Sequence, residues 1–171
     1  MMNAIARWSK LAKLGLISPA VISLVALASD RRPSSKPKEE SVVRSLISQW
    51  IEAYKALDAK RLVALETPDV QVVDRFGVLH VSSGRNHNEK LWSDSFEAVA
   101  KNAAPPIITI EGIRFLRPDL AVVQASWRFT DGILLVDGDR IPPFSQTDTF
   151  VVMKSHGVWL IAAHNMQEKR P

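Results

Sequence analysis

The sequence predicts an α+β domain in which N-terminal helices pack in the concave face of a strongly bent antiparallel or mixed sheet. Three segments between residues 41 and 99 carry apolar side chains at steps of three and four, the spacing of amphipathic helices. Residues 107–166 form apolar, β-branched runs separated by turns, with no helical stretch between them. Strands joined by short turns pair antiparallel, and helices segregated before them must cover one sheet face. The 171 residues, 46% hydrophobic and 23% charged, fit one ordinary globular domain.

Two helices are predicted at the start of this domain. The first runs for about four turns from an N-cap at Ser41, and its apolar stripe consists of Val43, Leu46, Ile47, Trp50, Tyr54 and Leu57. Asp58 is predicted to cap a short second helix that reaches Leu65, because its carboxylate can accept from the free amides of a first turn. The sequence Thr67-Pro68-Asp69 ends that helix.

A hairpin and a third helix follow. Residues 70–74 and 78–82 alternate and are joined by a short turn, which predicts two paired strands. Asn86 or Asn88 is predicted to cap the third helix, which carries Leu91, Trp92, Phe96 and Val99 at helical spacing and ends at residues 104–106. The last strands are predicted over residues 107–116, 120–129, 145–154 and 158–166. The long loop before residue 145 has room for a strand of its own.

Composition excludes several classes of chemistry. The chain has no cysteine, so disulfides, cysteine-ligated zinc, iron–sulfur clusters and thiol nucleophiles are excluded. The net charge of +4 is concentrated at the N-terminus: residues 1–28 hold three basic residues and no acid, which leaves 19 basic and 18 acidic residues. A nearly neutral domain gives no electrostatic footprint for nucleic acid.

The N-terminal 28 residues have the pattern of a secretory signal peptide. A cationic stretch precedes the uncharged run at residues 14–28, which ends in Ala26-Leu27-Ala28, a small-x-small cleavage signal. The run has 15 residues and contains Pro19, whereas a membrane-spanning helix needs about 20 apolar residues. We therefore expect an exported, periplasmic or secreted protein. The alternatives are an uncleaved anchor, with membrane contact only in that case, or another targeting role.

The mature chain is expected to have three parts. Residues 29–40 are polar and contain proline, which predicts a disordered linker. Residues 41–167 form the domain, and residues 168–171 are a short tail.

Three runs of residues resemble the SgcJ/EcaC group of SnoaL-like proteins. They are RPDLAVV at 117–123, TDTFVV at 147–152 and GVWLIAAHN at 157–165. This group belongs to the nuclear-transport-factor-two-like superfamily, and the resemblance, which covers residues 42–167, implies a cone formed by a bent sheet around helices. It also implies one of two classes of function: cofactor-independent isomerases, dehydratases and cyclases, or noncatalytic binding modules. Many members dimerise through the outer sheet face, and the semi-polar face that includes Arg128 suits such a homodimer.

Asp74 is the first candidate catalytic residue. It shares strand parity with Val70 and Val72, so its carboxylate is expected to face the same cavity. Similarity to ketosteroid isomerase places Asp74 at the proton-abstracting carboxylate of that enzyme, where desolvation would raise its pKa. The structural alternative is that Asp74, followed by Arg75 and Gly77, accepts backbone hydrogen bonds at a hairpin end.

Asp148 and His164 are the second candidate pair. Asp148 alternates with Phe150 and Val152 on the concave face, and the same resemblance assigns it the protonated acid that donates to an oxyanion. A three-residue turn at 155–157 places Asp148 directly opposite His164. The pair is either a working dyad or two mutually satisfied buried groups. A one-residue register change would separate them.

Five aromatic residues are candidate ligand-binding side chains: Trp50, Tyr54, Phe76, Trp127 and Phe150. Trp50 replaces the donor tyrosine of ketosteroid isomerase, and Tyr54, one turn later, is its possible substitute. Aromatic residues at these spacings also form ordinary cores. His80, His87 and His156 show no metal-ligand spacing, so we expect no metal. The sequence has no G-x-G-x-x-G or other phosphate-binding loop, so we expect no cofactor either.

Two functions therefore remain open. The first is an exported enzyme of isomerase or lyase type acting on a small hydrophobic molecule. The second is a noncatalytic module that binds such a molecule, dimerises or docks to another protein.

Overall fold

The computed structural model describes residues 36–169. The predicted signal peptide and most of the predicted linker lie outside the described residues. The helices are α1 (Lys36–Lys55), α2 (Ala59–Val63) and α3 (Arg85–Glu97). The strands are β1 (Glu66–Val73), β2 (Leu79–Val81), β3 (Ile107–Arg117), β4 (Leu120–Phe129), β5 (Ile133–Leu134), β6 (Arg140–Ile141), β7 (Phe144–Ser155) and β8 (Val158–Glu168).

Six strands form a curved mixed sheet in the order β2-β1-β8-β7-β4-β3. All neighbours are antiparallel except β1 and β8, which pair in parallel. The long loop before β7 contains the two-stranded β5–β6 sheet. The predicted α+β class with helices on one face is confirmed, since the apolar side of α1 and the alternate residues of β4 and β7 are buried together.

The first helix extends beyond its predicted start. It includes Lys36 through Glu40, which the sequence assigned to the linker, so Ser41 is not an N-cap. Glu39 explains the extension: its carboxylate accepts from Lys154 Nζ at 2.8 Å and from Trp159 Nε1 at 2.7 Å. These bonds hold the first turns of α1 against the β7–β8 hairpin. A contact 115 residues away in sequence leaves no signal in local periodicity.

Two further boundaries differ from the prediction. Asp58 caps α2 as expected, and its carboxylate accepts from the Arg61 amide at 2.9 Å. The strand β1, however, begins at Glu66 and includes Pro68, where the sequence predicted only a stop. A bulge between Glu66 and Gln71 accommodates the proline, consistent with the tolerance of proline at irregular strand positions. The third helix is capped at Gly84 without a side-chain hydrogen bond.

Gly132 tests how closely the chain before β5 approaches β6. Its φ is +68°, and a Cβ there would overlap the Ile141 carbonyl oxygen of β6. Gly138 also has a positive φ, +92°, but its Cβ would meet nothing within 4 Å. We expect Gly138→Ala to cost about 1–2 kcal/mol, the conformational penalty alone, and Gly132→Ala to cost more because of the added clash. Urea unfolding of both variants measures the difference, and equal losses would contradict the close approach of β6.

Candidate functional site

A cavity of about 370 Å³ lies beside the end of α3. Its wall continues through the loop after α3 and through the ends of β4, β6 and β7. The apolar lining includes Tyr54, Phe96, Phe129, Phe144 and Met166. Its polar residues include Asp74 and Gln146. A concave, mostly apolar site with a few polar groups is the usual form of a small-molecule site.

A second cavity of about 190 Å³ adjoins the first. The two share four lining residues: Asp74, Trp92, Ser95 and Met166. The second cavity adds His80 and Asn88 to the polar groups. These four residues form a common wall, so the two cavities lie side by side.

Asp74 directly follows the last residue of β1 and lines both cavities. Its Oδ1 accepts from the amides of Phe76 at 2.9 Å and Val78 at 3.0 Å, and its Oδ2 lies 3.0 Å from His80 Nε2. Desolvation opposes ionisation of this carboxyl, but the hydrogen bonds from His80, Val78 and Phe76 outweigh it and hold the pKa of Asp74 below its ordinary value. The prediction of a raised pKa for Asp74 is therefore wrong. The carboxylate both faces the cavity and stabilises the end of the hairpin.

Asp148 and His164 are brought together, although their register differs from the prediction. The turn between β7 and β8 has two residues, which shifts the pairing by one, and a bulge between Val151 and Val152 shifts it by one more. Asp148 therefore lies opposite Met166, while His164 lies opposite Phe150. Because the two shifts together preserve the sheet face, His164 Nε2 still reaches Asp148 Oδ2 diagonally at 3.0 Å.

This pair is enclosed behind the cavity wall. The Asp148 and His164 side chains are 0% and 1% exposed. The His164 ring stacks on Phe150 with centroids 4.3 Å apart. Neither residue of the pair lines either cavity, but Gln146 does, and its Nε2 donates to Asp148 Oδ1 at 2.8 Å. The geometry thus lets the pair orient a wall residue, and it keeps the pair itself from touching a ligand in these cavities.

Comparisons with known proteins find the fold but no family. No protein-family model matches the chain, and no curated protein matches it. A ketosteroid isomerase-like protein from Erwinia carotovora atroseptica superposes with a TM-score of 0.67 at 18% identity, covering 78% of this chain and 98% of that one. A domain of unknown function with a cystatin-like fold from Nostoc punctiforme gives 0.63 at 18% identity, covering 78% and 79%. A nuclear transport factor 2-like protein of unknown function from Shewanella oneidensis gives 0.57 at 15% identity, covering 75% and 98%.

The chain has the cystatin-like cone fold. At these identities the similarity establishes the architecture alone, because one fold supports many unrelated activities. The arrangement of side chains in the cone therefore has to carry any functional argument.

The predicted aromatic residues divide into two groups within the cone. Tyr54 and Phe76 line the larger cavity. Trp50, Trp127 and Phe150 are at most 2% exposed and line neither cavity, so they belong to the packed core. Trp50 packs edge to face on Phe150 with centroids 5.2 Å apart. Burial, together with the nearby Asp148 carboxylate, raises the pKa of Tyr54, so its hydroxyl stays protonated and able to donate.

Glu66 is a buried carboxylate that the sequence analysis missed. Its side chain is fully buried, Trp50 Nε1 donates to Oε1 at 3.0 Å, and Asn88 Nδ2 donates to Oε2. Asn88 is thus used inside the cone rather than as a helix cap. Burial raises the pKa of Glu66, although these hydrogen bonds oppose the shift. Strand parity could have predicted its burial, since Glu66 lies four residues before Val70 and on the same buried face of β1.

Within residues 36–169, no helix combines the length and hydropathy needed to cross a bilayer. Over the same range, no three acidic or histidine side chains are grouped so as to hold a metal ion.

Proposed function

We propose that this domain binds a small, largely apolar molecule in the larger cavity. The observation that carries the proposal is the cavity itself: about 370 Å³, lined mainly by aromatic and aliphatic side chains. Its polar lining residues are Tyr54, Asp74 and Gln146, together with Lys55, Arg75, Ser95 and Lys101. Apolar walls supply binding free energy and sparse polar groups orient a ligand. The Gln146 amide is held by Asp148, so this orienting group is fixed before the ligand binds.

Acid–base chemistry on that molecule is part of the proposal. Two residues of the cavity wall suit this chemistry: Asp74 is ionised and can accept a proton, and Tyr54 is protonated and can donate one. An isomerase or lyase of this kind needs no cofactor. The competing function, noncatalytic binding, is favoured by the enclosure of Asp148 and His164. Turnover of a bound molecule separates the two.

We further propose that the protein is exported, belongs to the SgcJ/EcaC group and forms a homodimer through the outer sheet face. The dimer proposal is supported by adjacent apolar side chains on that face, where Val122 pairs with Val151 and Met153 pairs with Leu160. Sedimentation equilibrium of the purified protein tests it: a monomer at all concentrations would contradict the dimer.

The binding proposal is tested by filling the cavity. Ala103 lines it, and we expect Ala103→Trp to weaken binding of 1-anilinonaphthalene-8-sulfonate, a dye with two apolar aromatic groups and one sulfonate, by about tenfold or more, since the indole occupies the space a ligand needs. The matched control is Ala64→Trp, at an exposed residue that lines neither cavity. Dye fluorescence gives the affinities, and thermal unfolding verifies that both variants are folded. Equal affinities in the two variants would contradict this site.

A further inference from the structure

We propose that His80 is the proton-accepting catalytic residue of this domain and that Asp74 is the residue that positions it. The ligand class is a small apolar molecule with an acidic C–H bond, held across the two adjoining cavities. The inference rests on the proposed binding function and assigns it a chemical step. It changes the role of Asp74 from the base itself to the group that fixes the base.

The hydrogen bonds of Asp74 determine which tautomer the His80 ring adopts. Backbone amides of Phe76 and Val78 hold Oδ1, so Oδ2 is left directed at His80 Nε2, 3.0 Å away. An ionised carboxylate only accepts hydrogen bonds, so Nε2 carries the proton and donates it. In the neutral form of the imidazole, Nδ1 is then the nitrogen that carries the lone pair. An imidazole oriented by a carboxylate in this way is the usual arrangement of a histidine general base.

Accessibility distinguishes this pair from the buried one. The side chains of His80 and Asp74 are 37% and 26% exposed, whereas those of His164 and Asp148 are 1% and 0% exposed. His80 and Asp74 both line the smaller cavity. A group in the cavity can therefore reach the His80 ring directly.

The shared wall explains how one ligand uses both cavities. Trp92 and Met166 line the larger and the smaller cavity alike. The apolar body of a ligand fits the larger space, and its reacting carbon extends past these side chains toward His80. Binding free energy from the apolar body then holds the reacting carbon near the base, which is how remote contacts contribute to catalysis.

The step balances without any further reactant. The ligand C–H bond breaks, the proton goes to Nδ1 of His80, and the electron pair of that bond moves into the ligand. There it either forms an enolate that is reprotonated at another carbon or expels a leaving group from the adjacent atom. These outcomes are an isomerisation and an elimination.

The test uses 5-nitrobenzisoxazole, a compact aromatic carbon acid. Removal of its C3 proton forms the nitrile while the ring N–O bond breaks, and the electron pair of that bond leaves on the phenolate oxygen. The product is a coloured cyanonitrophenolate. We expect saturable turnover by the wild type, and we expect His80→Gln to lower kcat by about 100-fold or more with KM changed less than about twofold.

Two companion variants separate catalysis from structure. Asp74→Asn keeps the shape but removes the charge that orients the ring, so we expect kcat to fall by about tenfold or more. His156→Gln, in the exposed β7–β8 turn, is expected to leave kcat unchanged. In His80→Ala, added imidazole is expected to restore part of the protein-dependent rate, measured above the rate with imidazole alone, which a structural loss would not allow.

Binding is measured separately, through quenching of tryptophan fluorescence by the nitro compound. Saturable quenching with no turnover, or turnover that His80→Gln retains, would overturn the assignment of His80 and leave the binding proposal standing. Absence of saturable quenching in the wild type would contradict the binding proposal, and the assignment of His80 with it.

Discussion

Asp148→Ala is expected to lower the free energy of unfolding by about 3–5 kcal/mol. Asp148 is fully buried and accepts from His164 Nε2 at 3.0 Å and from Gln146 Nε2 at 2.8 Å. Alanine would leave both donors buried without an acceptor, and each such group costs about 1–3 kcal/mol. Urea unfolding monitored by circular dichroism measures the loss.

Two control variants make the Asp148 result specific. Asp148→Asn keeps one acceptor oxygen and is expected to cost less than alanine. Thr149→Ala, on the opposite face of β7, is expected to stay within about 0.5 kcal/mol of the wild type. A cost for Asp148→Ala as small as that for Thr149→Ala would show that the pair is not enclosed as described.

Glu66 is expected to give the domain a pH-dependent stability of opposite sign to that of an ordinary carboxylate. Burial raises the pKa of folded Glu66 above its unfolded value. Between these two values the folded state holds more protons than the unfolded state, so the unfolding free energy falls as pH rises through the window. Above the folded pKa the full cost of burying the charge remains.

The Glu66→Gln variant isolates this effect. Glutamine keeps an acceptor for Trp50 Nε1 but cannot ionise, so the stability of the wild type minus that of Glu66→Gln should decrease from acidic to neutral pH. Glu66→Ala would instead leave Trp50 and Asn88 without their buried acceptor, at a cost of about 2–4 kcal/mol. Unfolding curves recorded from about pH 4 to pH 8 give the difference. A difference that does not vary with pH would contradict a raised pKa.

Local sequence features predicted the order and type of the elements. The apolar stripe of α1, the Asp58 cap and the alternation in β4 and β7 each reflect interactions within a few residues or within one face. Such signals survive in a single sequence because period and capping are local properties. Long-range contacts shifted the boundaries, as at Glu39, whose partner Lys154 lies in β7.

The two carboxylate–histidine pairs show how far strand parity predicts contacts between side chains. Strand parity predicted the contact between Asp148 and His164, and it held because a two-residue turn and a bulge changed the register by an even number. The contact between Asp74 and His80 follows from the predicted hairpin of residues 70–74 and 78–82, which pairs Asp74 with Val78 and puts His80, two residues later, on the same face. The structure shows this pairing, since the Asp74 amide donates to the Val78 carbonyl and His80 Nε2 lies 3.0 Å from Asp74 Oδ2. Parity predicts which face a residue occupies, but not how far beneath the surface it lies.

Sequence alone determined the α+β class, the helix-then-sheet order and the face occupied by Asp74, Asp148 and His164, because these follow from periodicities of 3.6 and 2. Only the tertiary structure decided which of these groups a ligand can reach. The sheet packs Asp148 and His164 against Trp50 and Phe150, where water and ligands are excluded. It leaves Asp74 at a strand end beside open cavities. The burial of a side chain depends on which other segments pack against it, and the residues that decide this packing are distributed along the whole chain.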